Sequence, residues 1–367
     1  MKTTCAGSPT GSASTSRDPE TVPEFTIDLV SDTSTRPSKE MLAAMAAAPT
    51  GDEQRDEDPT TLALCEEVAD YLGKEAALFL PSGTMCNLIA FLVHCRPGDE
   101  IICASNAHVF GSEGGGASAV AGTQFRTVET ADGIFSGADV RAFSRPRRHR
   151  SPRSRLVSVE QTTNRGGGAV WPVETLAEVA AAAKEAGLIV HMDGARLPNA
   201  AIASGRPAAE HAATVDTVWI DFSKGLGCPV GGALAGPKDF IEAAWTWKHR
   251  LGGAMRQSGV LAAAARHALK HNLERLAEDH ANAAALAAGI EDIPGLEIFP
   301  TVPQSNIFFL NVAGTGKTAP QIAARMAEEG LRLGVETPTR MRAVTHLDVD
   351  RPGIDLAIGI IRRAISG

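Results

Sequence analysis

The chain has 367 residues, a length that allows one large domain and a smaller companion, either of which would bury a sizeable core. Hydrophobic residues make up 44% of the chain and charged residues 21%, which is typical of a soluble globular protein. The formal net charge of −8 argues against nucleic acid or an anionic membrane as a partner, because the molecule as a whole would repel both.

The cysteines and the N-terminus also restrict the class of protein. The six cysteines lie far apart without a C-x-x-C pair, which argues against a zinc ribbon or redox pair and favours a reducing cytoplasm. No apolar run approaches the roughly 18 residues of a membrane-spanning helix. Residues 1–24 are rich in Ser, Thr, Gly and Pro and lack the apolar stretch of a signal peptide, so we predict a disordered extension there.

From residue 38 onward, helical patterns alternate with short apolar runs. Ser38 is predicted to cap a first helix, and further helices are predicted over residues 62–72, 84–93 and 173–186. The strand-sized apolar runs are residues 76–80, 100–103, 124–128, 156–160, 188–192 and 217–220. Strands separated by helices predict an α/β fold with a mostly parallel sheet, whose ligands bind beyond the carboxyl ends of the strands.

The pattern changes near residue 260. Residues 260–286 are predicted to form one long Ala/Leu-rich helix that joins a large domain (residues 25–265) to a small C-terminal domain (residues 266–367). In the small domain we predict two strands and a closing helix, over residues 296–298, 306–312 and 354–365.

Two segments resemble ligand-binding motifs. Residues 145–153 form a basic run, but it lacks interleaved aromatic residues and lies between a predicted helix and a predicted strand of an acidic protein. A solvated loop is therefore favoured over a nucleic-acid site. Residues 313–318 resemble a P-loop, but Asn311 stands where that motif requires glycine, so we predict a turn before a helix.

A candidate anion site follows the first predicted strand of the sheet. Ser82, Gly83 and Thr84 begin the helix predicted over residues 84–93. Backbone N–H groups at a helix N-terminus bind anions, and hydroxyl side chains add further donors. We predict that Gly83 and Thr84 bind a cofactor phosphate, with a plain capped turn as the alternative.

His108 follows the strand predicted over residues 100–103, which puts it at the same edge of the sheet. Its imidazole can stack on an aromatic cofactor ring or carry a proton, because imidazole titrates near neutral pH. Glu113 is a candidate for orienting His108 or a water molecule.

Two arginines are candidates for binding a carboxylate. Arg196 lies three residues after Asp193, and Arg342 comes from the small domain. Arginine presents a fork of donors that matches a carboxylate, although for either residue a surface ion pair is the alternative. The pair suggests an amino acid substrate, and Ser31 before the first helix is a candidate for completing the clamp.

Lys224 follows the strand predicted over residues 217–220 and precedes Gly225, Leu226 and Gly227. Together with Asp193, at the end of an earlier strand, it supplies what pyridoxal phosphate (PLP) requires. The lysine holds the cofactor as a Schiff base, and the carboxylate pairs with the protonated pyridine nitrogen, so that the ring accepts electrons. We therefore predict a PLP enzyme.

Six motifs in order along the chain resemble those of the threonine aldolase family, which comprises PLP enzymes of the aspartate aminotransferase fold (fold type I) in the β-eliminating lyase group. The motifs are Asp28-Leu29-Val30-Ser31-Asp32-Thr33, Glu57-Asp58-Pro59-Thr60, Pro81-Ser82-Gly83-Thr84-Met85, His191-Met192-Asp193-Gly194-Ala195-Arg196, Ser223-Lys224-Gly225-Leu226-Gly227 and Gly252-Gly253-Ala254-Met255-Arg256-Gln257.

The resemblance implies cleavage of a β-hydroxy-α-amino acid to glycine and an aldehyde. It implies a homotetramer built from dimers, with active sites near subunit interfaces. For the cofactor, the resemblance implies that Lys224 forms the Schiff base, that Asp193 pairs with the pyridinium nitrogen and that His108 stacks on the ring. It implies that Ser31, Arg196 and Arg342 bind the substrate carboxylate, with Arg196 also among the cofactor-binding residues. It further implies that Arg256 contacts the cofactor phosphate of a neighbouring subunit.

The chain departs from the family pattern on the aldehyde side of the site. The family usually has Tyr-Gly before Glu-Asp-Pro-Thr, aromatic residues after the stacking histidine, a histidine in Thr-His-Asn, and a lysine before the Gly-Gly-x-Met-Arg run. Here Arg55 and Asp56 replace the Tyr-Gly pair, and Gly111 and Ser112 replace the aromatic residues. Thr163 replaces the histidine, and His249 replaces the lysine. We therefore predict that a β-hydroxy amino acid other than threonine is preferred: a larger one in the added space, or an anionic one if Arg55 points inward.

Three other functions remain open on the sequence alone. On the same scaffold, β-elimination of water to a keto acid and transfer of glycine between aldehydes use the same carbanion-stabilising residues. A non-enzymatic nucleic-acid-binding protein that uses residues 145–155 is the third.

Overall fold

A computed structural model describes residues 25–367, which form two β-sheets covered by helices. The prediction of disorder for residues 1–24 lies outside the described residues. The strands are β1 (Ile27–Leu29), β2 (Ala76–Leu80), β3 (Glu100–Ala104), β4 (Gln124–Val128), β5 (Ser154–Glu160), β6 (Ile189–Gly194), β7 (Thr217–Asp221), β8 (Gly232–Gly236), β9 (Glu297–Phe299), β10 (Ile307–Asn311), β11 (Leu331–Val335) and β12 (Arg340–Val344).

The α-helices are α1 (Lys39–Ala46), α2 (Pro59–Leu72), α3 (Gly83–His94), α4 (His108–Gly111), α5 (Gly116–Ala119), α6 (Gly137–Phe143), α7 (Val173–Glu185), α8 (Leu197–Ser204), α9 (Ala208–Ala212), α10 (Lys238–Arg250), α11 (Gly259–His271), α12 (Leu276–Ala288), α13 (Ala319–Glu328) and α14 (Arg351–Ser366). Within residues 25–367, none of them combines the length and the hydropathy that crossing a membrane requires.

The larger sheet has seven strands in the order β2-β8-β7-β6-β5-β3-β4. Strands β3 to β7 pair in parallel, and β8 is antiparallel to both of its neighbours. Every residue of β3 and of β7 is buried, as expected for a parallel sheet that is covered on both faces. The predicted mostly parallel sheet is confirmed, and the carboxyl ends of β3, β5, β6 and β7 meet at one edge.

The second sheet has the order β1-β11-β12-β10-β9 and its own hydrophobic core. Strand β1 comes from the N-terminal end of the described chain but pairs in parallel with β11, and its Ile27 and Leu29 are buried in this core. The segment that follows β1 is thereby fixed between the two sheets. The domain boundary near residue 265 stays a prediction.

The prediction of one long helix over residues 260–286 is wrong. Helix α11 ends at His271 and α12 begins at Leu276. Asn272 caps α11 through its backbone N–H, and its side-chain Nδ2 donates to the Leu226 carbonyl at 2.8 Å. The break therefore packs the turn after α11 against the loop that carries Lys224, a tertiary contact that the Ala/Leu pattern does not reveal.

Both segments that resemble ligand-binding motifs have local structural explanations. Residues 145–150 lie between α6 and β5 as a loop, where Arg145 pairs with the buried Glu100 at 2.9 Å. After Asn311, a short 3₁₀ turn leads to Thr318, whose hydroxyl caps α13. The predicted loop and the predicted turn before a helix are both confirmed.

Candidate active site

A cavity of about 440 Å³ opens at the carboxyl-end edge of the larger sheet. Arg342 from β12 and Glu336 from the turn between β11 and β12 close its other side. The sequence-predicted residues that line it are Ser31, Gly83, Thr84, His108, Asp193, Arg196, Lys224 and Arg342. Arg256 is not among the lining residues.

Lys224 lies in the loop that follows β7, and its side chain is 17% exposed. Its Nζ is 2.9 Å from Asp221 Oδ2, and its backbone carbonyl accepts a hydrogen bond from the Thr35 hydroxyl. Asp221 Oδ1 also accepts from the backbone N–H and the hydroxyl of Ser223, at 2.9 and 2.8 Å. One carboxylate therefore shapes the loop and holds the amine at the cavity.

Asp193 is the penultimate residue of β6 and is only 2% exposed. Its Oδ1 accepts from the Ala195 N–H at 3.1 Å, and its Oδ2 accepts from Asn87 Nδ2 at 2.9 Å. Each carboxylate oxygen has a second lone pair, so the group can also accept a hydrogen bond from a ligand in the cavity.

His108 is held at the edge of the cavity by two glutamates. Its backbone N–H donates to Glu160 Oε2 at 2.6 Å, and its Nδ1 is 2.9 Å from Glu113 Oε1. The hydrogen bond to Glu113 raises the pKa of His108, and burial raises the pKa of Glu113. Both pKa shifts favour a protonated state of the His108–Glu113 pair. Burial also raises the pKa of Glu160 to about 6.

The two arginines differ in how much of the guanidinium group remains available. Arg196 is buried, and its Nε and Nη2 each donate to Asp32 at 2.7 Å. Burial of Asp32 acts in the opposite direction, but the ion pair with Arg196 holds the pKa of Asp32 well below its usual range. Within residues 25–367 no acceptor contacts Nη1 of Arg196, which leaves this group available for a carboxylate in the cavity.

Arg342 reaches the cavity from β12. Its Nη1 donates to Asn164 Oδ1 at 3.0 Å and its Nη2 to the Val30 carbonyl at 3.2 Å, while Glu336 lies 3.6 Å from its Nε. These contacts fix the plane of the guanidinium group. Each terminal nitrogen still carries a second N–H that can donate to a substrate.

The first turn of α3 is the segment for which the sequence predicts an anion site. Ser82 caps the helix through Met85 N–H at 3.3 Å, and among the described residues the N–H groups of Gly83 and Thr84 have no acceptor. A Cβ atom on Gly83 would lie 2.1 Å from the Trp219 ring, so only glycine allows this close approach. Free N–H groups at the start of a twelve-residue helix suit a phosphate.

These groups match the functional groups of PLP. The Lys224 amine suits its aldehyde, the Asp193 carboxylate its pyridine nitrogen, the His108 imidazole its ring face, and the α3 N-terminus its phosphate. The donor set therefore fits the cofactor that the sequence predicted.

Comparison with known proteins agrees with this geometry. The profile of the β-eliminating lyase family matches residues 28–314. A low-specificity L-threonine aldolase of Escherichia coli (strain K12) is 41% identical over 326 residues, which cover 89% of this chain and 95% of that protein. The chain belongs to the threonine aldolases of the β-eliminating lyase family.

A second relative supports that membership, and a solved structure shows the same fold. Low-specificity L-threonine aldolase 1 of Arabidopsis thaliana is 38% identical over 344 residues, covering 92% of this chain and 96% of that protein. The structure of a Leishmania major threonine aldolase covers 92% of this chain and 99% of its own, with a TM-score of 0.80 and 23% identity. At that identity the structural match shows that the fold is shared.

The structure also places the residues that depart from the threonine aldolase pattern. Ser112 lines the cavity, and beside it a Cβ added to Gly111 would meet no atom within 4 Å. Thr163 is buried behind the cavity, and His249 is exposed. Ser112 therefore places a small side chain at the cavity next to His108, whereas Gly111 is exposed and is not among the lining residues.

Arg55, whose direction the sequence leaves open, does not point into the cavity of its own chain. Asp52 caps the 3₁₀ turn Glu53–Arg55, and the Arg55 side chain is 72% exposed, with its Nε 3.7 Å from Asp52 Oδ2. The turn directs Arg55 to the surface, next to Arg256, which also pairs with Asp52 at 2.8 Å. Neither arginine lines the cavity.

The polar residues of the site that the sequence analysis missed include Asn87, Glu160, Trp219 and Asp221. Glu160 and Asp221 each end a strand of the large sheet, so the rule that found Asp193 could have found them. Asn87 is on the second turn of α3, and Trp219 is inside β7, where no sequence signal distinguishes them from core residues.

Proposed function

We propose that this chain is a PLP-dependent aldehyde-lyase that cleaves a β-hydroxy-α-amino acid to glycine and an aldehyde. The observation that carries the proposal is the convergence of Lys224, Asp193 and two arginines on one cavity. The L-threonine aldolases of Escherichia coli and Arabidopsis thaliana, 41% and 38% identical over most of their length, support the same reaction class.

PLP, when bound, supplies an electron sink for the pair of electrons released when the Cα–Cβ bond breaks. Lys224 holds the cofactor through Nζ, and Asp193 keeps a proton on the pyridine nitrogen. Arg196 and Arg342 would bind the substrate carboxylate and so orient the substrate in the cavity. His108, backed by Glu113, accepts the proton of the β-hydroxyl group, directly or through a water molecule.

Product analysis tests the reaction class. The purified enzyme is incubated with L-threonine, and glycine, acetaldehyde, ammonia and 2-oxobutanoate are quantified. The proposal expects glycine and acetaldehyde in equal amounts. Ammonia with the keto acid would establish β-elimination instead, and glycine exchange that requires a second aldehyde would establish transfer.

The pH profile depends on the His108–Glu113 pair. Because its hydrogen bond to Glu113 raises the pKa of His108, the base form becomes available only as the pH rises above the ordinary range of histidine. We expect kcat/KM for threonine to rise with pH on an acid limb that lies above pH ~6.5. In Glu113→Gln this limb should move to lower pH, because the anion that stabilises protonated His108 is gone.

The comparison is made on plots of log kcat/KM against pH for the wild type and Glu113→Gln. Glu336→Gln serves as the matched control, since Glu336 lines the cavity next to Arg342 rather than next to His108. An acid limb at the same pH in the wild type and in Glu113→Gln would contradict the assignment of His108 as the base.

The open space at Ser112 favours substrates larger than threonine. We expect a higher kcat/KM for phenylserine than for threonine, and Ser112→Phe should lower the phenylserine-to-threonine ratio by about tenfold or more, since pocket volume discriminates at that level. Ser118→Phe adds the same bulk at an exposed position outside the cavity and is the control. A clear preference for threonine, unaltered by Ser112→Phe, would refute the pocket argument alone.

We also propose a homotetramer, in which Arg256 contacts the cofactor phosphate of a neighbouring subunit. Supporting this, the Arg256 side chain is 61% exposed and lies outside the cavity of its own chain. Sedimentation analysis of the holoenzyme tests the assembly.

A cytoplasmic location is proposed as well, since the described cysteines are free, and cell fractionation tests it.

A further inference from the structure

Asn87 lies beneath the active-site cavity and is completely buried. Its amide makes four hydrogen-bonding contacts. The oxygen Oδ1 is 2.7 Å from Trp219 Nε1 and 3.2 Å from His191 Nε2. The nitrogen Nδ2 is 2.7 Å from Glu113 Oε1 and 2.9 Å from Asp193 Oδ2. Two lone pairs and two N–H bonds are what an amide has, so its hydrogen-bonding capacity is filled.

The orientation of this amide follows from its neighbours. The indole nitrogen of Trp219 only donates, so the atom facing it must be the amide oxygen. The carboxylates of Glu113 and Asp193 accept, so the atom facing them must be the amide nitrogen. A half-turn of the Asn87 amide would place its nitrogen against the Trp219 donor and its oxygen against the Asp193 carboxylate, so this orientation is favoured.

A buried series of hydrogen bonds fixes the side chains that face the amide oxygen of Asn87. Burial lowers the pKa of His191 to about 3, so its imidazole is neutral and can donate from Nε2 to Asn87. Nδ1 of His191 then accepts from the Thr217 hydroxyl at 2.9 Å, and that hydroxyl in turn accepts from His94 Nε2 at 3.1 Å. Each donor in this series of hydrogen bonds has one acceptor when His191 carries its proton on Nε2.

We propose that Asn87 is a positioning residue that sets two catalytic groups at once. One N–H of its amide holds Asp193, the partner of the pyridine nitrogen, and the other holds Glu113, the partner of His108. The ring-nitrogen contact and the proton-accepting imidazole are thereby tied to a single side chain on α3, the helix whose first turn forms the phosphate site. The inference rests on the proposed function in that PLP is the ligand.

An uncharged amide is required at this position. Asn87→Asp preserves the shape and keeps an oxygen opposite Trp219 and His191, but it replaces the donor nitrogen by a second oxygen. That oxygen faces Glu113 and Asp193, so two donated hydrogen bonds are replaced by contacts between acceptors. The charged groups that face His108 are Glu113, Glu160 and Asp193, and the variant adds a further carboxylate beside them.

The experiment measures PLP binding to the apoenzyme by equilibrium titration, and the titration of His108 in the apoenzyme by NMR of histidine-labelled protein. Asn87→Asp should raise the dissociation constant for PLP about tenfold or more, since a hydrogen bond to a charged group is lost and a like charge is added. It should also move the His108 titration to higher pH, because negative charge beside the imidazole increases. A change that merely loosened the fold would not produce that upward shift.

Asn282→Asp is the matched control. Asn282 is likewise buried, donates its Nδ2 to the Val349 carbonyl at 3.3 Å and lies on α12 away from the cavity. It should leave PLP binding and the His108 titration unchanged. If Asn87→Asp does not fold, Asn87→Ala and Asn282→Ala replace the pair, with weaker PLP binding expected in the first and not in the second.

PLP affinity within twofold of wild type in the Asn87 variant, or an equal loss in the Asn282 variant, would overturn the inference. A wild-type apoenzyme that binds no PLP would instead overturn the proposed function. The His108 titration does not use the cofactor, so it distinguishes these two failures.

Discussion

Lys224→Ala is expected to reduce turnover of every β-hydroxy amino acid below detection. The amine of Lys224 is the only lysine Nζ at the cavity among the described residues, so no neighbour replaces it as the covalent attachment point of PLP. PLP should still bind, because the Asp193, His108 and α3 contacts remain. Steady-state assays of glycine formation and a PLP titration measure the two effects separately.

Lys184→Ala is the control for Lys224→Ala, since Lys184 is exposed on α7 and far from the cavity. It should behave as wild type. Retention of more than a tenth of wild-type activity in Lys224→Ala would show that another group carries the cofactor.

Asp193→Asn is expected to lower kcat by about 10²–10³ while PLP stays bound. The substitution keeps the shape of the side chain but removes the negative charge that stabilises a proton on the pyridine nitrogen. The electron pair of the broken Cα–Cβ bond is then less stabilised in the transition state. In this variant Asn87 faces an amide instead of the Asp193 carboxylate, which adds a smaller effect on the position of residue 193.

The measurement is kcat for threonine in Asp193→Asn, with PLP occupancy determined in the same samples. Asp292→Asn, an exposed carboxylate paired with Arg362 in the C-terminal part, is the control. Activity close to wild type in Asp193→Asn would show that Asp193 is not the partner of the pyridine nitrogen.

Several residues predicted from the sequence share one property: they lie at the carboxyl end of a strand of the large sheet or in the segment that follows it. Asp193, Lys224 and His108 were predictable because the carboxyl ends of parallel strands meet at one edge. The proximity of Asn87 to Asp193 was not predictable, because it depends on how α3 packs across β6 and β7. Spacing along a chain contains no information about such packing.

The fold predictions failed where tertiary contacts decide the structure. Strand β8 has the sequence Gly-Ala-Leu-Ala-Gly, which has low strand propensity and forms a strand because it pairs with β2 and β7. The helix break at Asn272 depends on a contact with Leu226. The direction of Arg55, which the sequence leaves open, is set by the 3₁₀ turn that Asp52 caps.

The most direct test of the account is to locate the lysine that carries PLP. Borohydride reduces the C=N bond between PLP and a lysine to a stable amine, and mass spectrometry of the digested holoenzyme identifies the labelled peptide. The account predicts one labelled site, Lys224, in the segment Asp221-Phe222-Ser223-Lys224-Gly225. A label on a different lysine, or a protein that takes up no PLP, would contradict it.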